Sequence, residues 1–129
     1  MTDVVLYIED NPDNIRLVQR LLSRRADTEL QVAATGRDGV RAAVDRRPGL
    51  ILLDNRLPDA TGSEVLRQLG AAEATAAIPV VVVTGDSSDQ TAAELKACGA
   101  AGFLAKPFDM HQLLRLIEQH LAGPASRGS

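Results

Sequence analysis

Four apolar residues run straight into a carboxylate at Leu50-Ile51-Leu52-Leu53-Asp54, and no other stretch constrains this chain as much. A continuous apolar run bounded by turn residues reads as a strand buried on both faces. Pro48-Gly49 stops whatever precedes it, and Pro58 keeps it from continuing. Asp54 is therefore expected at the carboxyl end of a central strand, the edge at which open α/β sheets bind ligands.

The rest of the chain alternates in the same way. Val4-Val5-Leu6-Tyr7-Ile8 is an apolar run ending in Glu9-Asp10. Asn11-Pro12-Asp13 then supplies helix-start chemistry, and Ile15, Leu17, Val18, Leu21 and Leu22 fall on one helical arc. Residues 29–34 are a weaker strand candidate. After the Thr35-Gly36 turn, residues 37–46 read as a helix with Val40, Ala43 and Val44 inward. Past the central strand, Thr61-Gly62-Ser63 opens a helix carrying Val65, Leu66 and Leu69, followed by small residues over 70–77. Val80-Val81-Val82-Val83 is the strongest strand signal and ends at Thr84-Gly85-Asp86. Residues 89–98 form a short Ala-rich helix closed by Gly99. Gly102-Phe103-Leu104-Ala105 is the last strand and ends at Lys106-Pro107. Asp109 caps a final helix with Met110, Leu113, Leu114, Ile117 and Leu121 on one stripe.

Five strand–helix pairs imply an α/β domain with a parallel sheet covered on both faces. Right-handed crossovers and short loops favour the flavodoxin-like strand order 2-1-3-4-5. We expect one domain over residues 1–122 and a disordered tail over 123–129. With one Tyr, two Phe and no Trp, the core must be built from Val, Leu, Ile and Ala. The net charge of −3 argues against nucleic acid as a direct ligand. Cys98 stands alone, which excludes a disulfide frame and a Cys-based metal site and suits a reducing compartment. No apolar run approaches membrane-spanning length, and Met1-Thr2-Asp3 does not begin a signal peptide, so a cytoplasmic location is expected.

In that strand order the strand ends form one constellation. Strand 1 gives Glu9 and Asp10, its neighbour strand 3 gives Asp54, strand 4 gives Thr84 and strand 5 gives Lys106. The acids straddle the point where the strand order reverses. Clustered carboxylates repel unless a cation joins them, and a hard divalent ion such as Mg²⁺ suits oxygen ligands. A carboxylate beside such an ion and a lysine can act as a nucleophile toward phosphorus. His111 and His120 lack metal-ligand spacing, and the Arg24-Arg25 and Arg46-Arg47 pairs read as solvated helix ends.

These residues carry a resemblance. Glu9-Asp10-Asn11, Asp54 with Leu57-Pro58-Asp59 and Gly62, Thr84-Gly85, and Phe103 with Lys106-Pro107-Phe108 are similar to the motifs of receiver domains of two-component response regulators. The resemblance covers residues 4–121. It implies that Asp54 accepts a phosphoryl group from a phosphohistidine on a histidine kinase or phosphotransfer protein. It implies that Glu9, Asp10, Asp54 and the backbone carbonyl of Arg56 hold Mg²⁺, or another divalent cation such as Mn²⁺. Lys106 would contact the phosphoryl oxygen, and the Lys106–Pro107 bond would be cis. Thr84 and Phe103 would switch, remodelling the face of helix 4, strand 5 and helix 5. Such a domain catalyses only its own phosphorylation and slow dephosphorylation and is not otherwise an enzyme.

The match has departures. Asn55 replaces the usual apolar residue after the phosphoacceptor. Arg56 and Asp86 occupy positions that tune dephosphorylation in the family, and their opposite charges suggest an ion pair over the site. Three other readings compete. A phosphorylation-independent interaction module on the same fold would be marked by loss of an acid or of Lys106, and none is lost. A phosphatase with an aspartate nucleophile needs an Asp-x-Asp pattern after strand 1, which Asp10-Asn11-Pro12-Asp13 does not supply. A flavin carrier needs a Ser/Thr/Gly-rich phosphate loop where Glu9-Asp10 stands. The output partner is expected to be a protein, reached by a monomer or weak dimer that binds neither DNA nor membrane. The Glu9-Asp10-Asn11-Pro12 opening looks like receivers of hybrid histidine kinases.

Overall fold

A computed structural model describes residues 3–86 and 88–122, apart from the side chains of Met110 and Ala122. The stretch 123–129, expected as a disordered tail, lies outside the described residues, as does the Met110 side chain expected on the last apolar stripe. The elements alternate as β1 (Asp3–Ile8), α1 (Pro12–Leu22), β2 (Thr28–Ala33), α2 (Gly36–Arg46), β3 (Leu50–Asp54) and α3 (Gly62–Ala71). They continue as β4 (Val80–Thr84), α4 (Asp89–Ala97), β5 (Gly102–Ala105) and α5 (Met110–Ile117), which runs on into a π-helical turn over Glu118–Ala122. All the sheet pairings are parallel, in the order β2-β1-β3-β4-β5. The expected fold class is the observed one. None of the described helices is long and apolar enough to cross a membrane.

Strand alternation sorts the core into two layers. Val5, Tyr7, Leu50, Leu52, Val81, Val83 and Leu104 face α1 and α5, meeting Val18, Leu21, Leu22, Leu113 and Ile117. Leu6, Ile8, Ile51, Leu53, Val80 and Val82 face the other way, onto Ala43, Val65, Leu66, Leu69 and Leu95 of α2, α3 and α4. This parity decides which side chains meet at the carboxyl edge. Ile8 lies beside Leu53 in the parallel register, so the next residues, Glu9 and Asp54, are neighbours on the α1/α5 side.

Two inward expectations are corrected. Leu17 and Val44 are 41% and 39% exposed. Each lies roughly a quarter turn from the centre of its helix's buried stripe, so the apolar arc is wider than the contact. In α2 the reason is specific. The helix docks through Gly36, Gly39 and Ala43, and a Cβ at Gly39 would come within 2.5 Å of the Ile8 side chain. Glycines, not valines, set how close α2 lies to the sheet. Cys98, expected to be a small buried residue, is half-buried against the α2–α4 layer.

Helix starts follow their sequence signals. Asn11 caps α1, and Thr61 and Asp109 form reciprocal capping boxes with Glu64 and Gln112 at α3 and α5. The small-residue stretch after α3 is held by the buried Thr75, whose hydroxyl donates to the Leu69 carbonyl at 2.6 Å. Gly99 takes a φ of +109° just past the α4 C-cap, a conformation that favours glycine.

Candidate functional site

The sheet delivers its strand ends to one cleft. Asp54, Asn55, Arg56, Thr84, Gly85, Asp86 and Lys106 line a space of about 440 Å³ at the carboxyl edge. Beside it, Glu9, Asp10 and Asp54 each offer a carboxylate oxygen, all within 4.8 Å of one another. Glu9 is fully buried and Asp54 nearly so, while Asp10 is exposed. Lys106 reaches across from β5, with Nζ 3.2 Å from Asp54 Oδ1 and 3.6 Å from Glu9 Oε1. The Lys106–Pro107 peptide bond is cis.

Asp54 Oδ1 also accepts the Arg56 N–H at 3.3 Å. Oδ2 has no hydrogen-bond donor among the described residues and is the oxygen free to react. Burial raises the Asp54 carboxyl to about 6, and the neighbouring Glu9 adds to the shift. Glu9 moves the other way. Burial works to raise it, but the contact with Asp54, which takes the shared proton, outweighs that with help from Asn14, Lys106 and Tyr7. Burial, and next the Glu9 charge, push the Tyr7 hydroxyl well above its ordinary value.

The loop after β3 is closed tightly around Arg56. The Gly62 N–H donates to the Asn55 carbonyl at 2.9 Å, and the Leu57 N–H donates to the Ala60 carbonyl at 3.1 Å. No backbone donor among the described residues takes the Arg56 carbonyl. Asp59 ties the same loop to the start of α2, accepting the Gly36 N–H at 2.7 Å and the Arg37 N–H at 3.0 Å. Those two bonds hold its carboxyl below the usual range. Pro58 and Asp59, read from sequence only as part of a motif, thus have distinct structural jobs.

Thr84 is turned away from Asp54. Its hydroxyl accepts the Asp86 N–H at 3.0 Å. Phe103, 36% exposed, lines a separate apolar cavity of about 170 Å³ with Thr84, Asp86, Thr91, Ala92, Leu95 and Ala105. The ion pair expected between Arg56 and Asp86 is not formed. The Asp86 carboxylate instead accepts the Thr91 hydroxyl at 2.7 Å and the Ser88 N–H at 3.0 Å. Partners five residues away or fewer satisfy it without ordering a long arginine, so the local bonds win.

Two site residues escaped the sequence reading. The Tyr7 hydroxyl donates to Glu9 Oε1 at 3.0 Å, and Asn14 Nδ2 donates to the same oxygen at 2.9 Å. The signal for Tyr7 was present: a hydroxyl in an aliphatic strand, two residues before an acid and hence on its face. Asn14 gives no such signal, because its reach to Glu9 depends on how α1 docks.

A three-carboxylate, all-oxygen donor set fits a hard divalent cation and not a thiophilic one. Comparison with known proteins agrees with the arrangement. Residues 5–118 match the model of the response regulator receiver domain. Protein PilH of Pseudomonas aeruginosa is 33% identical over 119 residues, covering 92% of this chain and 98% of PilH. The regulatory protein LuxO of Vibrio cholerae is 40% identical over 87 residues, which are 67% of this chain but only 19% of LuxO. Among solved structures, the receiver domain of a Pseudomonas aeruginosa sensor histidine kinase, with a magnesium ion coordinated in its active-site cleft, superposes with a TM-score of 0.84 at 28% identity, covering 95% of this chain and 99% of that one. The chemotaxis protein CheY4 of Vibrio cholerae superposes at 0.87 and 28% identity, covering 94% and 100%.

Proposed function

This chain belongs to the response regulator receiver domain family, and from that membership we propose that it accepts a phosphoryl group on Asp54 from a phosphohistidine of a histidine kinase or phosphotransfer protein. The observation that carries the reading is the buried Asp54 set between the Glu9–Asp10 acids and the Lys106 ammonium. Glu9, Asp10, Asp54 and the Arg56 carbonyl would hold Mg²⁺ or Mn²⁺. When bound, the cation supplies charge neutralisation, for the clustered acids and for the transferring phosphoryl oxygens.

The chain's own residues supply the rest. Asp54, ionised at neutral pH, presents Oδ2 to phosphorus. The new O–P bond forms as the N–P bond to the donor imidazole breaks, and the imidazole nitrogen leaves with the electron pair and takes up a proton. Lys106 Nζ stands where charge accumulates on the phosphoryl oxygens. The Thr84 hydroxyl exchanges the Asp86 N–H for a phosphoryl oxygen. Phe103 then moves into the cavity beside Thr84 and Leu95, remodelling the α4–β5–α5 face for a protein target. Arg56 and Asp86, at the cleft, tune how fast water removes the phosphoryl group. The domain turns over no external metabolite.

We place it in the cytoplasm as a monomer or weak dimer that works through protein contacts and binds neither nucleic acid nor membrane. Relatives of both kinds, a protein of its own length and the receiver of a sensor kinase, are similar to it, so it can serve alone or within a hybrid kinase. The test is phosphotransfer from a panel of autophosphorylated histidine kinases in Mg²⁺. Label should move to the wild-type chain as an alkali-labile acyl phosphate and not to Asp54→Asn. Label that stays on every kinase, or that reaches Asp54→Asn equally, contradicts the reading.

A further inference from the structure

We propose that Tyr7 and Asn14 are positioning residues: they clamp Glu9 through Oε1 and so reserve Oε2 for the divalent cation. The inference rests on the cation-dependent reading above. Three donors converge on Oε1: the Tyr7 hydroxyl at 3.0 Å, Asn14 Nδ2 at 2.9 Å and Lys106 Nζ at 3.6 Å. Oε2 takes only the Asn11 N–H, at a long 3.4 Å. A carboxylate oxygen has about two lone-pair sites, so Oε1 is filled and Oε2 is not.

Tyr7 makes this orientation hard to reverse. It is fully buried in the aliphatic layer under α1 and α5, and Glu9 is the one hydrogen-bond partner of its hydroxyl among the described residues. Turning the carboxylate, or drawing Glu9 outward, would strand that hydroxyl in the core. A glutamate also carries more rotamer freedom than an aspartate, and a clamp removes that freedom before the ion arrives. Asn14 does the same from the first turn of α1, so the clamp joins β1 to the helix that covers it. Supports of this kind fix the orientation of ligands that bind metal.

The test is Mg²⁺ titration of the full chain by calorimetry, with Mn²⁺ binding by electron paramagnetic resonance as a check on ligand geometry. Wild type, Tyr7→Phe, Asn14→Ala, Glu9→Gln and Tyr7→Phe/Glu9→Gln are compared. Tyr7→Phe and Asn14→Ala should each weaken Mg²⁺ binding about tenfold. In the Glu9→Gln background Tyr7→Phe should change the dissociation constant less than about twofold, because its effect is routed through Glu9. A purely structural role for Tyr7 would lower the melting temperature and leave the dissociation constant unchanged. Wild type binding Mg²⁺ with Tyr7→Phe and Asn14→Ala both within about twofold of it overturns the clamp and leaves the proposed function standing. Wild type failing to bind Mg²⁺ removes both. Asn14→Ala, outside the core, decides the matter if Tyr7→Phe does not fold.

Discussion

Replacing Gly62 with alanine should destabilise the domain although it adds a better helix former. Gly62 is the buried first residue of α3, packed against the residue after the phosphoacceptor. A Cβ there would sit 2.5 Å from Asn55 Oδ1 and 3.2 Å from Asn55 Cα. The amide oxygen ends a flexible side chain and can swing aside. The Cα cannot, because Asn55 is pinned through its carbonyl to Gly62 and through its N–H to Val83. Overpacking of this kind costs about 1–3 kcal/mol. The gain in helix propensity is at most about 1 kcal/mol and is smaller in a first turn. The net loss should therefore be about 1–2 kcal/mol, read as a lower urea midpoint at unchanged m-value in circular dichroism. In an Asn55→Ala background the closest contact disappears and the cost should fall below about 1 kcal/mol. Gly62→Ala at wild-type stability, or an equal cost in both backgrounds, would refute the steric argument.

Three further outcomes follow from the charges and caps. Asp54→Asn should stabilise the cation-free protein at pH 7 by about 1–3 kcal/mol, because ionising the buried Asp54 beside Glu9 opposes folding. Its folded value lies above the unfolded one, so this penalty grows as pH rises from about 4 to about 6; the advantage of the variant should vanish at pH 4 and shrink in saturating Mg²⁺, both measurable by urea titration. Asp59 has the opposite sign: its carboxyl is lowered, so its contribution is present above the unfolded value of about 3.9 and is lost as pH falls through the folded one. Asp59→Asn should flatten the decline of the urea midpoint in acid. Thr61→Ala removes the α3 cap and should cost about 1 kcal/mol in the same assay.

The site was legible because strand parity and sheet order are both written in the chain. The apolar runs identified the strands, and the order 2-1-3-4-5 brought β1 next to β3. Period-two alternation then put Glu9 and Asp54 on one side of adjacent strands, with Lys106 reaching them from the far strand. What could not be read depended on docking or on competition. Val44 is apolar and near the right arc, but the closeness of Gly39 to Ile8 sets the helix rotation and leaves it outside. The opposite charges of Arg56 and Asp86 suggested a pair, but Thr91 and Ser88 satisfy Asp86 locally. Tyr7 read as one more core residue. Its hydroxyl matters because the acid two positions on is turned inward, and Glu9 alone, seen as a letter, gives no hint of being fully buried.

The central claim, that Asp54 is a cation-dependent phosphoacceptor, is tested most directly by intact mass after incubation with acetyl phosphate. Wild type in Mg²⁺ should gain a single phosphoryl adduct. The adduct should be absent when the cation is chelated and absent in Asp54→Asn. An adduct that forms equally without the cation, or that persists in Asp54→Asn, would contradict the assignment. No adduct on wild type, with acetyl phosphate or with the kinase panel, would mean that the acidic edge of this sheet does not do phosphoryl chemistry.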